Sequence, residues 1–144
     1  MPEKQNEIQT GIAKKLNESI SGKEKPQNAV EFGTELYKKF KDETYEPQTV
    51  LNTIFSTFDK NKSKFKPSLT TVEFINAYGE DFTRLVQIKL AQLKKYKLNP
   101  KDISGKIDAK TSEAIYAYKK DIQDSAEQEK QEETSLPEKE NTAE

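Results

Sequence analysis

The chain has 144 residues, 32% hydrophobic and 34% charged, which allows one domain with a modest core and leaves much of the chain outside it. It holds no cysteine, histidine or tryptophan, which removes disulfides, thiol chemistry, an imidazole base and ordinary zinc sites. The formal net charge of −1 hides a segregation: between Arg84 and Lys120 ten Lys/Arg face three acids, whereas from Gln123 to Glu144 eight acids face two lysines.

Residues 1–27 are polar except for Ile8, Ile12, Leu16 and Ile20, spaced four apart. That thin stripe predicts a flexible or partly helical segment that packs on the domain or awaits a partner. A helix is expected over about 28–41, opened by a capping-box-like Asn28 and Glu31, with Val30, Gly33, Leu36, Tyr37 and Phe40 on one face. A second starts near Pro47, a residue suited to the first helical position, and carries Val50, Leu51, Ile54, Phe55 and Phe58. In the lysine-rich link after it, Asp59, Asn61 and Ser63 alternate as the oxygen ligands of a calcium loop do. Lys64 stands where the sharp turn needs glycine and Thr70 where a bidentate glutamate belongs, so a solvated connector is expected.

A third helix begins near Thr70, with Glu73 three residues on, and turns Val72, Ile75 and Tyr78 inward. Gly79 ends or bends it, and Asp81 caps the next. Helix four, about 81–97, places Phe82, Leu85, Val86, Leu90, Leu93 and Tyr96 inward, and Asn99-Pro100 stops it. Helix five, about 108–122, buries Thr111, Ala114, Ile115, Tyr118 and Ile122. No segment sustains strand-like alternation, so the expectation is an all-α fold: a small bundle of about five helices over 28–122, then an acidic disordered tail over 123–144.

The segment 82–122 carries a motif. Val86-Gln87, Leu90 and Leu93 set its first helix; Gly105 and Ile107 mark the loop; Thr111, Ala114-Ile115 and Tyr118 set its last helix. Gly105 admits a backbone conformation closed to most side chains, Thr111 is placed to bond backbone near the helix start, and Ala114 permits close helix approach. This order resembles the small three-helix peptidoglycan-binding domain of bacterial and phage cell-wall proteins. Lys94 replaces that family's helix-ending glycine, Ser104 its loop aspartate, Asp108 its second glycine and Lys119 its final glutamine. The resemblance implies a non-catalytic module that binds peptidoglycan or tethers a protein to the envelope. Its ligand-binding candidates are Lys94, Lys95, Tyr96, Ser104, Lys106, Tyr116 and Lys120, which supply cations for stem-peptide carboxylates and groups for stacking and hydrogen bonding.

The alternative is a protein–protein adaptor or secretion-associated factor that reuses the same helical scaffold. An enzyme is not expected. Glu73, Glu80 and Asp81 superficially resemble a muramidase pair, but helix capping accounts for Glu73 and Asp81, and no Gly-rich phosphate loop or nucleophile elbow is present. No metal or cofactor is implied. Nucleic acid ranks below both protein and wall, because the lysines are spread around helices and are not interleaved with aromatics. No apolar run reaches transmembrane length. The resemblance implies the cell envelope or the exterior; a native Met1 with no other export route implies the cytoplasm.

Overall fold

The computed structural model describes residues 2–20, 28–65 and 69–124, the side chains of 2–5 excepted. Among them there are six α-helices and no strand: α1 (Pro2–Ile20), α2 (Ala29–Phe40), α3 (Pro47–Asn61), α4 (Thr71–Ala77), α5 (Gly79–Leu93) and α6 (109–124). Short 3-10 turns follow at Lys62–Lys64 and Pro100–Asp102. The expectations placed on 21–27, 66–68 and the acidic segment beyond Asp124 lie outside the described residues.

The i, i+4 isoleucine and leucine stripe of α1 is fully used: Ile8, Ile12, Leu16 and Ile20 are all buried, against α2 and α3. Ser19 and the Tyr78 hydroxyl, both buried, add a hydrogen bond of 2.8 Å from α1 to the α4–α5 junction. A row of rings then fills the centre, with Phe74 4.9 Å from Phe58 and 5.0 Å from Tyr78, and Phe82 5.2 Å beyond. Burial pushes the Tyr78 phenol up to about 12. Across α2, Gly33 allows the backbone to press on the α4–α5 junction, where an added Cβ would sit 2.1 Å from the Tyr78 carbonyl oxygen.

Several local expectations are corrected. Asn28 makes no side-chain cap bond, because its backbone lies in the left-handed region (φ 54°). Val30 is 59% exposed and is not on the buried face, although its methyls lie against Gly79. Thr70 and Glu73 do form a reciprocal capping box, but Asp81 caps nothing. The α5 helix already begins at Gly79 (φ 91°), and Asp81 instead accepts from Thr34 and Arg84. That helix ends at Leu93, short of 97, and Asn99-Pro100 opens a 3-10 turn where a helix stop was expected. Asn61 turns inward to Asn17 and the Thr57 carbonyl, so its side chain serves packing and not a cation loop.

Candidate functional site

The motif residues of α5 and α6 meet in one interior. Val86, Leu90, Ala114, Ile115 and Tyr118 are buried, and Leu93 and Ile107 pack against them at the edge. The polar positions form a clamp. Fully buried Gln87 donates from Nε2 to the Lys106 carbonyl at 3.0 Å and to Thr111 Oγ1 at 2.9 Å, and accepts the Gly105 N–H at 2.9 Å. One amide thus satisfies a loop and a helix start together. Gly105 has φ 81°, and a Cβ there would meet Arg84 at 3.1 Å. Thr111 does not bond backbone as expected: its hydroxyl accepts from Gln87. The capping role falls to Asp108, which stands just before α6 and accepts the Thr111 N–H at 2.8 Å. That bond holds the Asp108 carboxyl below its usual range.

Beyond Leu93 the chain enters a tight turn, closed by the Lys97 N–H on the Lys94 carbonyl at 3.2 Å. Lys94 and Lys97 both hold positive φ, 60° and 61°, conformations that favour glycine. The turn is braced on the C-terminal part of α6. Tyr96 donates its hydroxyl to Asp121 Oδ2 at 2.6 Å, Lys95 pairs with the same oxygen at 2.8 Å, and the Tyr96 ring stands edge-on to Tyr118 at 5.5 Å. Burial, and then the Asp121 carboxylate, raises the Tyr96 phenol; Lys95 and then Tyr96 hold the Asp121 carboxyl low.

The other candidates separate. Ser104 and Lys106 share a two-residue turn through Ser104 Oγ at 3.2 Å. Lys120 is exposed beside Asp121, while Tyr116, half exposed, stands on the outer face of α6. Among the described residues Lys94, Lys97, Lys101, Lys106 and Lys120 are exposed and in none of the ion pairs.

Sequence reasoning missed Lys97, Asp121 and Lys89. Lys89 is fully buried, with Nζ donating to the carbonyls of Asp42 at 2.8 Å and Tyr45 at 2.9 Å, which ties α5 to the α2–α3 loop. Burial draws its ammonium down to about 8. Its spacing from Leu85, Val86 and Leu93 already set it in the apolar stripe, a signal masked by its charge. A separate groove of about 490 Å³ opens between α1, α3 and α6, bordered by Gln9, Ala13, Asn52, Phe55, Lys60 and Ile122. Among the described residues no group of three or more His, Cys, Asp or Glu is placed to hold a metal, and no helix is long and apolar enough to cross a membrane. Compared with protein-family models, curated proteins and solved structures, the chain matches none.

Proposed function

We propose that the chain is a non-catalytic binding module that recognises peptidoglycan, or tethers a protein to the bacterial envelope, through the turn 94–97 and, apart from it, the loop 104–106. One observation carries this reading. Lys94 and Lys97 occupy exposed positions at φ 60° and 61°, where glycine is favoured. A non-glycine residue there costs about 1 kcal/mol, and strain of this kind clusters where a side chain is used. The backbone of the turn is also anchored, through Tyr96 and Lys95 on Asp121, which leaves the Lys94 and Lys97 ammonium groups open to stem-peptide carboxylates. An exposed ion pair contributes at most about 1 kcal/mol, so affinity for a single repeat is weak and a polymer strengthens it by multivalency.

Co-sedimentation with purified peptidoglycan sacculi across a salt series tests the reading. Saturable pelleting that survives moderate salt and weakens in Lys94→Gln, Lys97→Gln and Lys106→Gln supports it. Absence of pelleting at low salt removes it. A second reading, a protein–protein adaptor, is favoured by the groove between α1, α3 and α6. Those first helices have no counterpart in the three-helix wall module, and Phe55 and Ile122 give the groove an apolar floor. Loss of a protein partner on Asn52→Arg, with sacculus binding absent, would select it.

A further inference from the structure

The groove over α3 is walled on both sides. Tyr45, ahead of α3, donates its hydroxyl to Glu7 at 3.1 Å, and Asn61, at its end, donates to Asn17 at 3.1 Å, so α1 runs beside α3 in the same direction. On the other flank Tyr118 of α6 bonds Asn52, and the Lys119 ammonium donates to Thr71 Oγ1 at 2.6 Å and stands 3.8 Å from Asp59. The cavity between these walls, about 490 Å³, falls within the range of ligand pockets, about 300–1,000 Å³. Its floor is the Phe55 ring, with Ala13 and Ile122 at the sides.

Three exposed side chains stand in one row along α3: Asn52, Ser56 and Lys60. Four helical residues rise about 6 Å, close to the step of about 6.7 Å between alternate residues of an extended chain. Successive members of the row therefore meet successive groups on one edge of an extended peptide, and each offers a different chemistry. The Asn52 carbonyl oxygen already accepts the Tyr118 hydroxyl, which orients the amide and leaves its Nδ2 protons for an acceptor. Ser56 donates its proton to the Thr53 carbonyl at 3.2 Å and so presents an oxygen that accepts. Lys60 is in none of the ion pairs among the described residues and presents a cation. The charged lining is Lys60 and Lys119 against Asp59. That surplus of one positive charge matches a single carboxylate and not a run of acids.

We infer that this groove is a binding site for the free C-terminus of an extended polypeptide. The terminal carboxylate meets Lys60 and Lys119, and an apolar last side chain covers Phe55 and Ile122. An upstream main-chain carbonyl takes a proton from Asn52 Nδ2, and an intervening N–H donates to Ser56 Oγ. Main-chain contacts supply affinity with little regard to sequence, while the carboxylate restricts binding to chain ends. The assignment rests on the adaptor reading of the groove and is separate from wall recognition.

A chemical-shift titration of the isotope-labelled full chain tests it, with acetyl-Ala-Ser-Ala-Phe as the free acid and as its C-terminal amide. The acid is expected to shift Asn52, Ser56 and Lys60 saturably and to bind about tenfold tighter than the amide. Lys60→Gln, at an exposed site, should remove most of that preference and leave the affinity for the amide unchanged. Asn52→Asp keeps an acceptor for Tyr118 but loses the Nδ2 donors, so both peptides should weaken alike, by about threefold or more. Equal binding of acid and amide in the groove overturns the proposal and leaves the adaptor reading standing, with an internal segment as the occupant. Shifts confined to the turn 94–97, or none that saturate, also overturn it; the adaptor reading then stands or falls by its own partner's response to Asn52→Arg. Groove shifts that follow protein concentration and not peptide mark a contact between copies, and overturn it as well.

Discussion

Gly105 donates its backbone N–H to Oε1 of Gln87 across 2.9 Å, and the same amide reaches Lys106 and Thr111 from its other end. Removing the amide strips this partner from the buried Gly105 N–H and Thr111 hydroxyl, each costing about 1 kcal/mol or more, and from the Lys106 carbonyl, which keeps Ser104 Oγ. Gln87→Leu is therefore expected to lower unfolding stability by about 2–4 kcal/mol. It should also raise hydrogen exchange at Gly105 and Thr111 more than on α1. Uniform loss of protection across the chain would contradict the clamp.

Gly33→Ala tests the closest helix approach. The new methyl would stand 2.1 Å from the Tyr78 carbonyl oxygen and 2.9 Å from Phe82 Cβ. Alanine favours a helix by about 1 kcal/mol over glycine, but the clash with backbone outweighs this, and a net loss of about 2–3 kcal/mol is expected. Chemical denaturation gives the sign directly.

Lys94→Gly and Lys97→Gly should separate stability from binding. Each relieves a positive φ, so thermal stability is expected to hold or to rise by up to about 1 kcal/mol. Each also removes an ammonium from the turn, so retention on sacculi should fall. Variants that bind as well as wild type would show that the side chains are incidental there.

Lys89 gives a pH signature. Its ammonium is drawn from 10.5 to about 8 by burial, so between these values the unfolded chain holds a proton that the folded chain has released. Stability contributed at this site therefore rises with pH over that interval. Tyr78, raised from 10.0 to about 12, acts in the opposite sense above pH 10. Over the window from 8 to 10 the wild type should gain about 2 kcal/mol relative to Lys89→Met. Parallel stability curves for the two proteins would remove that account.

The apolar helical period made α2, α3, α5 and α6 readable, because each carries a stripe that must find a core; the thin stripe of α1 gave only a flexible or partly helical segment, and its full burial rests on contacts with α2 and α3. Gly79 and the Thr70–Glu73 box were readable for the same local reason. The end of α5 was not: only a lysine at φ 60° marks it, where glycine would have announced the stop. Lys89 escaped because a tertiary contact, burial on loop carbonyls, overrode its charge, and Asn28 because it takes the left-handed conformation open to asparagine and makes no cap bond. At the candidate site the motif placed Gln87, Gly105 and Thr111 side by side. The joining of Lys95 and Tyr96 by Asp121 depends on a contact 25 residues apart from Tyr96, which no local pattern encodes.

The α3 helix receives both ends of the described chain. On one flank it takes the α1 stripe; on the other, Tyr118 packs its ring 5.5 Å from Phe55 and bonds the Gln48 carbonyl, 70 residues earlier. The flank that meets Tyr118 therefore stays open during synthesis until α6 has emerged, however early α1 has coiled. Long closures of this kind slow folding and leave Phe55 without its Tyr118 cover on the nascent chain, the span in which a chaperone would find its hold.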